Sequence, residues 1–342
     1  MTGPFQKLPP TATGDTAVDT YYDVSSNQDP DFVNRMRMHS QETPQPIIES
    51  ELLIVRTEGN LSSTDEITFV DEGWDSRVYL INGGETAYKF PRAPSVAQDY
   101  PQEIAALKML DGIGGGVLTQ RFIMLDPANR YFSYSGVVGT QLSELLESLS
   151  VEDKIRAGSI VGSFLNLLHG QHIEGAPVTT VENEISEYQA KYQLALPIIE
   201  ASFSAHEQQR VATFFLDFMP SEMRALGCEM RLCHGDLGSY NIVLGDDRNL
   251  GIIDFGNVGY YDPSKDFIDF GDEVVLDAAL EAYGDSANLR AKIDVRSKAL
   301  TVIDLVYYIN KEDDAGLIVT VGKLHSILPN LIESSADGSE NV

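Results

Sequence analysis

Three side chains between residues 236 and 254 have the types and the spacing that phosphoryl transfer uses. Asp236 closes a His-Gly-Asp sequence, Asn241 follows it at a short distance, and Asp254 opens an Asp-Phe-Gly sequence. In kinases, one such Asp accepts the proton of the acceptor hydroxyl, whereas the Asn and the second Asp hold the Mg²⁺ ions that bridge the nucleotide phosphates. Mg²⁺ prefers oxygen ligands of this kind. The segment therefore predicts Asp236 as the catalytic base and Asn241 and Asp254 as Mg²⁺ ligands.

These motifs, HGD-x4-N, IDFG and D-P-x-x-D, lie within residues 234–266 and resemble those of the aminoglycoside phosphotransferase family. That family (APH and choline kinase-like) comprises small-molecule kinases built on the protein-kinase fold. Upstream, the sequences EGWDSRVYLING and YKFPR are also similar to its N-terminal lobe, so the resemblance extends over about residues 50–330. A shorter run, residues 253–268, resembles the aminoglycoside 2″-phosphotransferases. The resemblance implies ATP or GTP as the phosphate donor, and implies that His234 braces the catalytic loop without transferring protons.

Two residues of the N-terminal half would hold the nucleotide phosphates. Lys89 ends an apolar strand pattern and Glu103 lies in the helix predicted after it, as do the paired strand Lys and helix Glu of kinases. The alternatives are that Lys89 is a solvated lysine, or that Lys108 in the helix takes its place. The turn at residues 72–77 would cover the phosphates with its backbone amides and the Ser76 hydroxyl, although an ordinary β-turn would need the same glycine.

The sequence SGVVG, at residues 135–139, is interpreted as the hinge between two lobes. Backbone groups near Ser135 and Val137 would hydrogen-bond the purine base. The sequence does not distinguish adenine from guanine, so the donor stays open between ATP and GTP.

Acidic residues follow the Asp-Phe-Gly sequence at steps of one to four residues: Asp266, Asp269, Asp272 and Glu273. If one helix covers residues 264–283, these carboxylates share one side of it and repel one another. A polyamine substrate would offset this repulsion, and the family resemblance implies such contacts to aminoglycoside ammonium groups. The alternative is a solvated helix face in an acidic protein. Asp262 is expected to tie the loop to the helix.

The predicted elements give an α+β, bilobal, protein-kinase-like fold. Strand patterns near residues 66–91 and 121–135, with a hairpin at Asn82-Gly83-Gly84 and a helix over residues 96–111, predict a five-stranded antiparallel N-terminal lobe with one main helix. Helices dominate afterwards. The predicted organisation is a polar tail (1–45), an N-terminal nucleotide-binding lobe (46–135), a mostly helical catalytic and substrate lobe (136–332) and a second polar tail (333–342).

The net charge indicates which class of ligand the protein binds. The 342 residues carry a net charge of -28, which argues against nucleic acid and favours a cationic small molecule, although salt adaptation would explain the same excess. The sequence shows no signal peptide or membrane span, so we expect a cytoplasmic protein that does not bind membranes. Both cysteines are expected to be free thiols. We expect a monomer, with a dimer as the alternative.

Together these features predict a Mg²⁺-dependent O-phosphotransferase that acts on a small molecule, because the short segment after Asp254 leaves no room for a peptide-docking activation loop. The resemblance implies an aminoglycoside acceptor and hence antibiotic resistance. The alternatives are another acceptor (a macrolide, choline, homoserine or methylthioribose) or a non-catalytic nucleotide-binding regulatory module.

Overall fold

The structure is a computed structural model that describes residues 43–71, 73, 75–284 and 288–333. The predicted tails therefore lie almost entirely outside the described residues.

In chain order, the first half consists of α1 (Gln45–Glu58), β1 (Ile67–Val70), β2 (Ser76–Ile81), β3 (Thr86–Pro91), α2 (Tyr100–Leu110), β4 (Val117–Thr119), β5 (Arg121–Leu125) and β6 (Phe132–Ser135). Five of these strands form an antiparallel sheet in the order β1-β2-β3-β6-β5, which confirms the predicted N-terminal sheet.

The two faces of this sheet have different partners. On the outer face, aromatic residues of β2 and β3 pack against Val55 of α1. Glu51 of α1 is buried there and accepts hydrogen bonds from Arg77, at 2.6 Å, and from the Tyr79 hydroxyl, at 2.9 Å. The inner face carries Lys89, which is opposite Val78 in the β2–β3 pairing. The alternation of strand side chains thus buries α1 on one side and leaves the other side for α2 and the cleft.

The β2–β3 hairpin turns at Asn82–Gly84, as predicted. All three residues have positive φ, from 48° at Asn82 to 104° at Gly84, and an Asn-Gly-Gly sequence tolerates this backbone.

Helices make up most of the second half. Its elements are β7 (Thr140–Gln141), α3 (Leu142–Leu145), α4 (Val151–His169), α5 (Val181–Ser202), α6 (Ala205–Thr213), α7 (Met219–Leu226), β8 (Arg231–Cys233), β9 (Ile242–Leu244), β10 (Leu250–Ile252), β11 (Gly259–Tyr261), α8 (Glu273–Tyr283), α9 (Leu289–Lys311) and α10 (Asp314–Ile327). The α+β fold with a five-stranded antiparallel sheet and a helical remainder is therefore confirmed. No helix among the described residues has both the length and the apolar character needed to cross a bilayer.

Helices α4 and α8 cross with almost no space between them. A Cβ atom at Gly158 would lie 2.2 Å from the Val275 carbonyl oxygen, and one at Gly162 would lie 2.0 Å from that of Ala279. Ser150 caps the start of α4 by accepting a hydrogen bond from the Asp153 amide. The close crossing positions the last residue of α4, His169, beneath the catalytic segment.

Three predicted elements differ from the structure. The helix predicted over residues 264–283 is a 3₁₀ turn (Pro263–Phe267) and a separate helix α8, because Gly271 has a φ of 70° and the Asp272 side chain caps a new helix. The helix predicted from residue 96 begins as an α-helix only at Tyr100. The segment from β8 to β11 contains four short strands, although helices were expected to dominate this half of the chain. Strands β9 and β10 join β4 and β7 in a second sheet of order β4-β10-β9-β7, and β8 pairs with β11.

Candidate active site

Three elements bring Lys89, Glu103 and Asp254 into direct contact. The Lys89 Nζ lies 2.8 and 3.0 Å from the two carboxylate oxygens of Glu103, which α2 supplies. It also lies 3.2 Å from Oδ1 of Asp254, which comes from the helical half of the chain. Burial opposes the charge on Lys89, yet the carboxylates of Asp254 and Glu103 raise its pKa. The predicted Lys–Glu pair is confirmed as a contact, and Asp254 completes a bridge between the lobes.

Asp254 owes its position to an unusual backbone. Its φ of 64° and ψ of 68° are left-handed, which is rare for a residue other than glycine and typical of functional loops. Its amide donates to the Gln120 side chain at 2.9 Å, so a buried glutamine next to β5 holds this conformation. The Asp254 side chain remains 51% exposed, and the Lys89 charge lowers its pKa. The Asp254 carboxylate is thus ionised and open to the cleft.

The catalytic loop that follows β8 is anchored from below by Asp266. The two carboxylate oxygens of Asp266 accept hydrogen bonds from the backbone amides of His234, at 2.7 Å, and Gly235, at 2.8 Å. His169 also contacts this carboxylate, at 3.0 Å, and Asp266 is completely buried. The prediction that Asp266 binds substrate is therefore wrong, because its carboxylate is enclosed and holds the loop.

His234 is also structural, as predicted. It is fully buried, and its Nε2 lies 2.9 Å from the Ile253 carbonyl oxygen, next to Asp254. This contact joins the catalytic loop to the Asp-Phe-Gly segment. Asp262 ties the following segment down, because it accepts hydrogen bonds from Ser264 and from Lys292.

Asp236 and Asn241 lie on the same side of this loop. The Asn241 Nδ2 donates to the Asp236 carbonyl oxygen at 2.8 Å, which leaves the amide oxygen of Asn241 for another partner. Oδ1 of Asp236 accepts a hydrogen bond from the Tyr240 hydroxyl at 3.0 Å. Burial raises the pKa of Asp236 and the charge of Asp254 adds to this, against the opposing effects of His234 and Tyr240.

Two further carboxylates lie near Asp236. The Asp269 carbonyl accepts a hydrogen bond from the Ser239 amide at 3.0 Å, which places Asp269 beside the catalytic loop. Burial raises the pKa of Asp269 to about 6, and the charges of Asp304 and Asp236 contribute. Burial also raises the pKa of Asp304, which α9 supplies. We call Asp236, Asp269 and Asp304 the acidic group.

Asp272 and Glu273 do not line up with Asp269, because the predicted helix is interrupted before them. Asp272 caps α8 and pairs with Lys154 at 2.6 Å, while Glu273 is 82% exposed and lies 3.5 Å from Arg290. The structure therefore contradicts the prediction of one helical face that carries all four carboxylates.

The predicted hinge follows β6, and the described end of the predicted phosphate turn leads into β2. Val137 packs against β10, where a Cβ at Gly251 would lie 2.2 Å from its side chain, and Ser135 accepts a hydrogen bond from the Arg121 amide. Ser76 begins β2, is buried, and shares the sheet face of Lys89. Glu72 and Trp74 of the predicted phosphate turn lie outside the described residues.

A comparison with known protein families identifies the family of this chain. The profile described as "Phosphotransferase enzyme family" matches residues 66–294, which include the five-stranded sheet, Asp236 and Asp269 but not Asp304. The chain belongs to this family. It is accordingly an enzyme of the small-molecule phosphotransferase type, and the resemblance noted from its motifs is confirmed.

Solved structures show the same fold as this phosphotransferase. A GDP and kanamycin complex of APH(2″)-IIia has a TM-score of 0.68 and 21% identity, with 82% of this chain and 99% of that chain covered. A streptomycin–ATP ternary complex of APH(2″)-IIa has a TM-score of 0.60 and 18% identity, covering 85% and 99%. The apoenzyme of macrolide 2′-phosphotransferase MphH from Brachybacterium faecium has a TM-score of 0.56 and 19% identity, covering 80% and 97%. At these identities the likeness establishes the kinase-like fold.

Four residues that contact the candidate site or lie near it were not found from the sequence: Gln120, His169, Tyr240 and Asp304. Gln120 and His169 contact the motifs from distant parts of the chain, so no local spacing indicates them. Asp304 lies within a long helix and has no motif around it. Tyr240 lies inside the motif, where its position next to Asn241 was a signal that could have been used.

Proposed function

We propose that this phosphotransferase moves the γ-phosphate of ATP or GTP to a hydroxyl group of a small molecule, most readily an aminoglycoside, in a Mg²⁺-dependent reaction. The observation that carries the proposal is the contact of Lys89 with both Glu103 and Asp254, at 2.8 and 3.2 Å, beside a loop that presents Asp236 and Asn241. These are the groups that kinases need for phosphate binding, metal binding and proton removal.

Lys89 would bind the nucleotide phosphates and Glu103 would hold it in place. A lysine that is buried between two carboxylates stays protonated, so it presents a fixed positive charge to the phosphate oxygens. The purine would lie along residues 135–137, which join the two lobes. Backbone groups there would bind either purine, so the proposal includes both ATP and GTP.

Asn241 and Asp254 fit the requirements of Mg²⁺. The hydrogen bond from Asn241 Nδ2 directs its amide oxygen away from the Asp236 carbonyl, and Asp254 presents an ionised, half-exposed carboxylate. Both are hard oxygen donors, which suit this ion. When bound, Mg²⁺ would neutralise charge on the phosphate oxygens during transfer.

Asp236 would act as the base. As the acceptor oxygen attacks the γ-phosphorus, its proton passes to the Asp236 carboxylate and the bond to the β-phosphate oxygen breaks, which releases the nucleoside diphosphate. The raised pKa of Asp236 makes its carboxylate a better proton acceptor than an ordinary Asp.

The acidic group would bind the acceptor. Burial raises the pKa of Asp269 and of Asp304, and the charges of Asp304 and Asp236 add to the rise at Asp269, while Lys323 opposes it at both. An ammonium group bound between these carboxylates would stabilise their ionised forms further. We therefore assign the acceptor contacts to Asp269 and Asp304 rather than to Asp272 and Glu273, which have Lys154 and Arg290 as partners. A macrolide, which also carries an amine, is the second candidate because the solved structures that share the fold include a macrolide 2′-phosphotransferase.

The test is nucleotide turnover by the purified full chain with ATP and with GTP, with and without Mg²⁺, against aminoglycosides, macrolides and choline. We expect turnover that depends on an aminoglycoside and on Mg²⁺, that disappears in Asp236→Asn, and that persists in Asp111→Asn, an exposed Asp of the N-terminal lobe. Turnover with macrolides alone would show that the acceptor is a macrolide and not an aminoglycoside. Binding of nucleotide without turnover with any acceptor would contradict the proposal and favour a regulatory module.

A further inference from the structure

Tyr240 reaches the carboxylate that would remove the acceptor proton. Its hydroxyl lies 3.0 Å from Oδ1 of Asp236, four residues earlier in the same loop. The next residue, Asn241, contacts the backbone carbonyl of the same Asp236 at 2.8 Å. Consecutive residues of the Ser239–Asn241 turn therefore hold Asp236 by its side chain and by its backbone.

The tyrosine ring, which is 37% exposed, lies directly against the Gly238 backbone. A Cβ atom at Gly238 would lie 2.2 Å from Cε1 of Tyr240, so the ring occupies the space that a side chain at position 238 would fill. The φ of Gly238 is -121°, which any residue can adopt, so the close contact with the ring, not the backbone, requires glycine here. Gly238 also pairs with Asp269, which anchors the turn.

The Tyr240 hydroxyl makes the two carboxylate oxygens of Asp236 unequal. Tyr240 engages Oδ1, so the proton of the acceptor would go to Oδ2. We propose that Tyr240 is a positioning residue for phosphotransfer, whose hydroxyl fixes the Asp236 carboxylate and reserves Oδ2 for the acceptor hydroxyl. The phenolic proton stays on Tyr240 throughout, so the proton balance of the reaction is unchanged. This inference rests on the function proposed above.

The first test is Tyr240→Phe, which keeps the ring and removes only the hydroxyl. Because a hydrogen bond to a charged group is lost, we expect kcat to fall about tenfold, while the KM values for nucleotide and acceptor stay within about twofold. Tyr192→Phe, the same change in the helical core of the same lobe, should leave all three constants unchanged. An increase in acceptor KM with an unchanged kcat would overturn the proposal, because Tyr240 would then bind the acceptor instead.

The second test is Gly238→Ala, alone and combined with Tyr240→Phe. The added methyl group displaces the ring, so we expect Gly238→Ala to lower kcat as much as Tyr240→Phe does. The double variant should then lose little more than either single variant. Losses that multiply in the double variant would overturn the proposal.

A third measurement does not depend on the acceptor. Crystal structures should show one Asp236 side-chain conformation in the wild type and in Tyr192→Phe, and more than one in Tyr240→Phe. A single, unchanged conformation in Tyr240→Phe would overturn the proposal. If the wild type showed no acceptor-dependent turnover, the proposed function would fail, and this measurement would still decide whether Tyr240 orients Asp236.

Discussion

The carboxylates near Lys89 and those near Asp236, which we propose as the nucleotide end and the acceptor end of one site, have opposite electrostatic surroundings. At the nucleotide end, Asp254 contacts Lys89 and has a lowered pKa. At the proposed acceptor end, burial raises the pKa of Asp269 to about 6, and the charges of Asp304 and Asp236 add to this against the opposing charge of Lys323. The first carboxylate has a buried lysine in direct contact, whereas in the second group the charge of Lys323 only partly offsets the effect of burial. The two groups of carboxylates therefore differ in charge balance: the first has a lysine in direct contact, and the second carries an excess of negative charge that a cationic ligand would reduce.

Lys89→Met would break the nucleotide end and should have the largest effect. Two carboxylates would face each other without their shared cation, so we expect kcat/KM to fall about 10²–10³-fold and the free energy of unfolding to fall by about 3 kcal/mol. Steady-state kinetics and urea unfolding would measure these changes. Lys108→Met, on the same lobe, is the control. An equal loss of kcat/KM and of stability in both variants would show that Lys89 has no special role.

Asp266→Ala tests whether the Asp266 carboxylate is structural and contacts neither the nucleotide nor the acceptor. The change leaves two buried backbone amides and His169 without their acceptor, so we expect the free energy of unfolding to fall by about 3 kcal/mol or more. Urea unfolding would measure it. A stable variant with only a weakened acceptor KM would return Asp266 to the substrate-binding residues and contradict its structural role.

Asp269→Asn would relieve the repulsion at the acceptor end. The folded pKa of about 6 lies above the ordinary value of 3.8, so the free energy of unfolding of the wild type should decrease as pH rises between these values. The variant should therefore be more stable than the wild type by about 3 kcal/mol at pH 8, and the difference should disappear below about pH 3. It should also bind a cationic acceptor more weakly. A variant that is less stable at pH 8 would contradict the comparison.

Asp304→Asn should have the smallest effect. One of three carboxylates is lost, so we expect the KM of an aminoglycoside to rise about threefold to tenfold at low ionic strength, and less at high ionic strength because salt screens the contact. Asp294→Asn, in the same helix but paired with Lys298, is the control. A KM that does not change in Asp304→Asn would place the acceptor elsewhere.

The sequence predicted well what lies close together along the chain. Asp236, Asn241 and Asp254 share one motif, and the Lys89–Glu103 pair joins a strand to the next helix, so spacing alone indicated them. The helix predicted over residues 264–283 failed because its acidic spacing was given more weight than two local signals, Gly271 and the capping Asp272. Gln120 and Asp304 could not be predicted, since only the tertiary fold brings them to the site.

The crossing of α4 and α8 has a consequence for mutational tolerance. Gly158 and Gly162 lie outside every motif, yet any side chain there would collide with the α8 backbone. The two helices would separate, and His169 would move away from the carboxylate that holds the catalytic loop. In a saturation screen for loss of function, these two glycines should therefore be as intolerant as Asp236, although they touch neither nucleotide nor acceptor.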